Sequence, residues 1–355
     1  MKGLLVLENG KCFEGELLTE ESVMGELVFN TGMTGYQECF TDPSYEGQII
    51  TLTYPLIGNY GVAEHFNQYE KPIVSGIVID QLTKQPSNWE CENTLENFIK
   101  TNNIPCIYNV DTRAVTKAIR SGGAMKAVIV KADTSKEIIK EMLSKDLHKN
   151  NVERVTTSEK YVCGKGKYKV ALLDCGLKKN ILKRLNALDC EVTVYPAKTE
   201  AKEILSTNPD GIFLSPGPGD PKDAYYVIDT VKQLIGKKPI FGICLGIQVL
   251  ALALGAQTYK LPFGHRGSNH PVKDLRKGKV YITSQNHGYA VSSENIPDCI
   301  EITHINVNDN TVEGFRHKTL PIQAIQYHPE AGPGPVDNFY LFEEFIKMME
   351  AEKND

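Results

Sequence analysis

A chain of 355 residues is longer than one hydrophobic core usually organises, so two domains of about 100–200 residues each are expected. The composition, 41% hydrophobic and 23% charged, is that of a soluble globular protein and excludes a disordered, collagenous or coiled-coil chain. Lys and Arg number 39 against 44 Asp and Glu, a net charge of -5, and no basic stripe interleaves with aromatics, which argues against nucleic acid as a partner.

In chain order, Leu4–Leu7, Gln48–Tyr54 and Pro72–Ile79 are apolar, β-branched and bounded by turn residues, which predicts strands. A helix is expected from Asp111 through Ile119, stopped by Ser121-Gly122-Gly123. Another is expected from Thr134, with Glu137 as its capping-box partner and Ile138, Ile139, Met142 and Leu143 as its apolar face. Between about Asp146 and Lys167 the apolar pattern stops, and a domain boundary is expected there, separating residues 1–150 from 168–355.

After that boundary strands alternate with helices: strand Lys169–Leu173, helix Lys178–Leu188, strand Glu191–Tyr195, helix Glu200–Ser206, strand Gly211–Leu214, helix Ala224–Ile235, strand Pro239–Ile243 and helix Gly246–Leu254. This rhythm predicts an α/β fold whose C-terminal domain is an open, mostly parallel sheet flanked by helices, beside a separate strand-rich N-terminal α/β domain. Val336–Met349 reads as a closing helix. The nine cysteines show no C-x-x-C spacing and read as reduced thiols. No stretch approaches the ~20 apolar residues that span a bilayer, and MKGLLVLENG reaches Glu8 before a signal-peptide core can form. A cytoplasmic protein with no membrane partner is expected.

Ligands of open α/β sheets sit beyond the carboxyl ends of the strands, and three of those ends are unusual. Pro239–Ile243 runs into Gly242-Ile243-Cys244-Leu245-Gly246, a nucleophile elbow with cysteine in the serine position. The glycines relieve crowding in a tight turn, and Cys244 at a helix N-terminus gains stabilisation of its thiolate. The other eight cysteines read as small buried hydrophobes. The apolar strand Pro321–Tyr327 ends in His328-Pro329-Glu330, and i, i+2 spacing in an extended chain would put His328 and Glu330 on one face. Imidazole as base, oriented by the carboxylate, completes a Cys-His-Glu triad. After Leu214, Ser215-Pro216-Gly217-Pro218-Gly219 suits an oxyanion loop completed by the Leu245 N–H, although alone it reads as an ordinary turn. No Walker A or G-x-G-x-x-G fingerprint is legible, and the spacing of His265, His270 and His287 fits no usual metal pattern.

Phe241–Gln248 together with His328-Pro329-Glu330 resembles the class I, triad-type glutamine amidotransferases. Asn30–Gln37, Thr41–Tyr45 and Leu52–Asn59 resemble the N-terminal domain of carbamoyl-phosphate synthetase small subunits, and Ser284–Ala290 and Gly264–Pro271 point the same way. The resemblance covers essentially the whole chain. It implies that glutamine is held by Ser44, Gly217, Gly219, Leu245, Gln248, Asn286, Gly288 and Tyr289. It further implies a large partner subunit that uses ATP, with Mg, and bicarbonate to make carbamoyl phosphate from the ammonia released, for arginine or pyrimidine synthesis. No cofactor is expected on this chain, and the N-terminal domain is assigned to docking the partner and contributing Ser44. The alternatives are an amidotransferase feeding another synthetase and a catalytically silent regulatory subunit. Three positions depart from the family pattern: Pro216 stands where Asn is usual, Tyr289 where Phe is usual, and Gly332 is unusually small. Pro216 removes an N–H and an amide beside the oxyanion loop.

Overall fold

The computed structural model describes residues 1–354. The chain divides into two compact units, Met1–His148 and Lys149–Asp355.

The first unit is a closed seven-stranded barrel. Its strands run in the order Lys2–Leu7, Cys12–Leu17, Cys106–Tyr108, Gly76–Val78, Gln48–Leu52, Val23–Asn30 and Met125–Lys131, and the last pairs antiparallel with the first. Closure leaves no unpaired sheet edge. A buried apolar cluster joins Val28, Ile50 and Ile77 of its strands to Phe40, Leu95 and Ile99 of the helices Tyr36–Phe40 and Leu95–Thr101. The helix expected after Asp111 spans Thr112–Gly122, and the Asp111 carboxylate caps it by accepting from Ala114 N–H at 2.9 Å. The next helix is Lys136–Ser144, capped by Ser135 and not by Thr134. Thr134 is spent in the preceding turn, where its N–H donates to the Lys131 carbonyl at 3.0 Å, so the capping box with Glu137 does not form.

Residues 149–167 fold into the second unit. A short helix, Asn151–Val155, buries Val152 and Val155, and Tyr161–Cys163 adds an antiparallel edge strand to Cys190–Pro196. Thr156 and Thr157 tie this segment to Asp174, through Oγ1 to its carbonyl at 2.6 Å and through the N–H to its carboxylate at 2.7 Å. Polar residues anchor the segment, which is why hydrophobic periodicity misses it.

The second unit is built on a ten-stranded sheet. Its centre is parallel, in the order Cys190–Pro196, Tyr168–Asp174, Gly211–Leu214, Ile240–Ile243 and Ile322–Ile325. The central strands are buried along their whole length, as continuous apolar runs require when both faces are covered. Beyond Ile322–Ile325 the sheet continues antiparallel through Val312–His317, Lys279–Val291, Thr258–Asp274 and Ile300–Asn306. This antiparallel extension is an addition to the parallel sheet expected. The closing helix is Tyr340–Asn354, starting four residues after Val336 because residues 336–339 first form a turn, with Phe339 N–H donating to the Val336 carbonyl at 3.3 Å. Leu341, Phe342, Phe345 and Met349 recur at helical spacing and bury against Phe213 and Phe241.

Candidate active site

The elbow is formed as its glycines demand. Cys244 sits between the strand Ile240–Ile243 and the helix Leu245–Ala253 at φ 54° and ψ -103°, a conformation costly for a residue with a Cβ. Its N–H donates to the Ile325 carbonyl at 2.9 Å, which ties the turn to the neighbouring strand. A Cβ on Gly242 would lie 2.9 Å from the Gly246 carbonyl carbon, and one on Gly246 would lie 2.5 Å from the Leu214 oxygen. No other residue fits either place without moving backbone. The thiol is buried and donates to the Asn286 carbonyl at 3.5 Å.

His328 and Glu330 meet by a route other than the one expected. The strand stops at Ile325, and residues 328–331 turn, with Ala331 N–H donating to the His328 carbonyl at 3.2 Å. The turn, and not an extended i, i+2 face, brings His328 Nδ1 to 2.7 Å from Glu330 Oε1. His328 N–H donates to the Ser284 carbonyl at 2.9 Å, which fixes the ring's approach.

A third charge, which sequence reasoning missed, completes the group. Lys178 Nζ lies 3.0 Å from Glu330 Oε1 and donates to the Ala331 carbonyl at 2.8 Å, with all three side chains buried. The available signal was a lysine in Cys175-Gly176-Leu177-Lys178, the loop leaving the carboxyl end of the strand Tyr168–Asp174. Burial opposes every charge here. At His328 it is outweighed by the Glu330 carboxylate, with Lys178 opposing and Cys244 reinforcing, and the pKa is pushed up to about 10. At Glu330 it is outweighed by Lys178 and then His328, and the carboxyl falls to about 2. The balance favours the protonated imidazole, and Cys244 is the group that faces it beyond the Glu330–Lys178 pair.

The Gly217 loop packs directly on the elbow. A Cβ on Gly217 would lie 2.2 Å from the Cys175 carbonyl oxygen and 2.8 Å from Leu245 Cδ2, and Gly219 takes φ 88°. Ser215 Oγ accepts from Cys175 N–H at 2.8 Å and donates to the Pro216 carbonyl at 2.8 Å, so Pro216 is held by its oxygen. Leu245 opens the helix, and the first N–H groups of a helix have no partner within it. Gln248 Nε2 donates to the Tyr289 carbonyl at 2.8 Å and to Gln326 Oε1 at 3.1 Å. Gly288 stands beside Arg266, whose guanidinium would be 3.3 Å from a Cβ there. Leu245, Gln248, Asn286, Gly288, Tyr289 and the Gly217 loop thus belong to one unit with the triad. Ser44 belongs to the barrel unit, in the short 3-10 turn Pro43–Tyr45, where Asp42 accepts from its N–H at 2.9 Å and its buried Oγ has no partner. Gly332 takes φ 71°, which a glycine adopts without penalty.

The three histidines whose spacing argued against a metal are gathered by the antiparallel sheet. His265 is the register partner of His287, and its ring lies 5.0 Å from that of His287 and 5.2 Å from that of His270. With Glu313, His265 and His287 offer ligand-type atoms within 4.8 Å of one another. Those atoms are already engaged with protein groups: His287 Nε2 with Gln285 Oε1 at 3.0 Å, and Glu313 with Asn306 and Gln285, each at 3.0 Å.

A strained cysteine elbow, an imidazole fixed by a carboxylate and a glycine loop at adjoining strand ends define a triad amidotransferase domain. Residues 171–348 match the family model for glutamine amidotransferase class-I. Residues 5–129 match that for the carbamoyl-phosphate synthase small chain, CPSase domain. A carbamoyl phosphate synthase pyrimidine-specific small chain from Bacillus subtilis (strain 168) is 51% identical over 358 residues, covering 100% of this chain and 98% of its own length. Small chains from Clostridium perfringens (strain 13 / Type A) and Lactococcus lactis subsp. cremoris (strain MG1363) are 50% and 49% identical, each covering 98% of this chain and 99% and 98% of their own. The chain belongs to the carbamoyl-phosphate synthase small chain family.

Proposed function

We propose that this chain is the glutaminase subunit of a glutamine-hydrolysing carbamoyl-phosphate synthase, with Cys244, His328 and Glu330 as its catalytic residues. The observation that carries the reading is an imidazole whose Nδ1 lies 2.7 Å from Glu330 Oε1 and whose Nε2 is left to the strained Cys244 beside it. The Cys244 thiolate adds to the carboxamide carbon of glutamine, and the oxyanion is met by the Leu245 N–H and the Gly217 loop. Collapse breaks the C–N bond as His328 gives its Nε2 proton to the leaving nitrogen, releasing ammonia and leaving a γ-glutamyl thioester. Water then yields a proton to Nε2 as it adds to the thioester, and collapse frees glutamate and the thiolate.

Gln248, Asn286, Gly288, Tyr289, Gly217, Gly219 and, from the barrel unit, Ser44 hold the substrate in this reading. An unpartnered buried hydroxyl at Ser44 supports its share. Ammonia passes to a large partner subunit that brings ATP and Mg, and the barrel unit docks that subunit. The name of the Bacillus subtilis relative favours a product destined for pyrimidines. Nine unpaired cysteines fit a reducing cytoplasm, and no helix among the described residues is long and apolar enough to cross a membrane.

The test is glutamate release by the chain with its copurifying partner. Cys244→Ala is expected to lose at least ~10³-fold in rate, as loss of a triad member does, while ammonia-dependent synthesis by the complex survives. Retained glutamine hydrolysis in Cys244→Ala would sink the assignment, as would purification without any large ATP-using chain.

A further inference from the structure

A second chain of buried polar groups runs behind the strand that carries Asn286, Gly288 and Tyr289, and the mechanism above leaves it idle. It begins near the surface at Asp309, whose carboxylate lies 2.8 Å from His265 Nε2. The other nitrogen of that ring, Nδ1, is 3.5 Å from Glu313 Oε1. Glu313 is fully buried and accepts at both oxygens, from Asn306 Nδ2 and from Gln285 Nε2, each at 3.0 Å.

That second bond decides which way the Gln285 amide points. With its nitrogen on Glu313, its oxygen must face His287 Nε2, and the separation is 3.0 Å. Burial, with the nearby His265 next, holds His287 neutral, so its single N–H donates either from Nε2 to Gln285 Oε1 or from Nδ1 to the Tyr289 carbonyl 2.8 Å away, and the ring is wedged between the two oxygens; that carbonyl also accepts from Gln248 Nε2 at 2.8 Å. A second arm leaves Glu313 through the backbone. Its carbonyl accepts from Gln326 N–H at 2.9 Å, and Gln326 Oε1 accepts from Gln248 Nε2 at 3.1 Å. Both arms end on one pair, the Tyr289 carbonyl and the Gln248 amide. The bulges in Thr258–Asp274, between Lys260 and His265 and between Gly267 and His270, turn His265 inward to reach Glu313.

We propose that Asp309, His265 and Glu313 form a positioning device for glutamine, holding the Tyr289 carbonyl and the Gln248 amide in place from behind. His265 supplies the counter-charge that a buried carboxylate needs. Burial alone would strip its proton, but Asp309 and then Glu313 outweigh burial and push its pKa up to about 9. The inference rests on the glutaminase reading and adds to it residues that touch neither substrate nor thiol.

The experiment uses the complex with its large partner and measures KM and kcat for glutamine, with thermal unfolding alongside. His265→Leu alone leaves Glu313 buried without a counter-charge and is expected to lower Tm. His265→Leu/Glu313→Leu removes both charges and is expected to recover Tm, because paired removal is far cheaper than breaking the pair. If the chain positions glutamine, the folded double variant still shows KM raised by about tenfold, with kcat reduced by less than about threefold. Asp309→Asn, at the exposed end, is expected to raise KM by about threefold in a fully folded protein.

A double variant with recovered Tm and KM within about twofold of wild type overturns the proposal. So does one equivalent of zinc or another transition metal bound by the wild type and lost in His265→Leu, which would make the cluster a metal site. A wild-type complex that makes carbamoyl phosphate from ammonia but hydrolyses no glutamine overturns the glutaminase reading itself.

Discussion

Two buried clusters in the amidotransferase unit use the same residue types and are wired in opposite senses. In the first, Glu330 Oε1 takes both Lys178 Nζ at 3.0 Å and His328 Nδ1 at 2.7 Å, and the other ring nitrogen of His328 is left to Cys244. In the second, both oxygens of Glu313 accept from protein amides, and both nitrogens of His287 lie against protein oxygens. A histidine paired with a carboxylate is thus not reactive in itself. What differs is the neighbour of the ring nitrogen that the carboxylate does not hold: a cysteine thiol beside His328, and only protein oxygens around His287.

The sharpest break of that contrast disturbs the reactive cluster while leaving the other intact. Gly217→Ala puts a Cβ 2.2 Å from the Cys175 carbonyl, so the loop proposed to meet the oxyanion must move by a sizeable fraction of an ångström. Glutaminase kcat is expected to fall by about 10²-fold, with KM changed far less, as steady-state glutamate release will show. An unchanged kcat would mean that the loop does not face the intermediate.

Lys178→Met comes next. It removes a buried cation that helps to depress Glu330, and loss of one partner of a buried pair typically costs about 3–5 kcal/mol. Urea unfolding is expected to show a loss of that order, and kcat is expected to fall about tenfold through a less well-held His328. Full activity in a destabilised variant would make Lys178 a structural residue only.

The charge pair also fixes a pH signature. Glu330 is depressed from 4.5 to about 2, so its contribution is present above 4.5 and is lost as pH falls toward 2. His328 is raised from 6.5 to about 10, so its contribution is full below 6.5 and is lost as pH rises toward 10. The stability difference between wild type and His328→Gln should therefore be greatest between pH 4.5 and 6.5. Denaturant midpoints across pH will test this, and a difference that grows above pH 7 would contradict it.

The smallest effect is expected at Pro216. Pro216→Asn restores an N–H and an amide beside the oxyanion loop, and one added hydrogen bond of about 0.7 kcal/mol corresponds to roughly a threefold rise in kcat/KM. No rise would show that the Ser215–Pro216 arrangement already serves the loop.

Much of this was legible without coordinates. Strand-to-helix alternation after residue 168 marks the parallel units because a buried strand and an amphipathic helix have different hydrophobic periods. The elbow is legible because only glycine can sit two residues either side of Cys244, as the crowding at Gly242 and Gly246 bears out. The antiparallel half, residues 258–317, was opaque because its strands carry polar residues into the interior, where His265, Gln285 and Glu313 satisfy one another. A hydrophobic pattern cannot reveal a strand stabilised in this way. Thr134 was misread because a turn and a helix cap compete for the same residue.

The sequence by itself determined the cysteine elbow, its glycine frame, the His-Pro-Glu stretch and the family, since these reside in short stretches whose chemistry is local. Tertiary structure alone decided that a turn and not a strand joins His328 to Glu330, and that Lys178, distant in sequence, pairs with the same Glu330 carboxylate. It also decided that His265 and His287 are neighbours. Each of these rests on burial and on distances between segments far apart in the chain, which set the electrostatics of a site and have no signature in residue order.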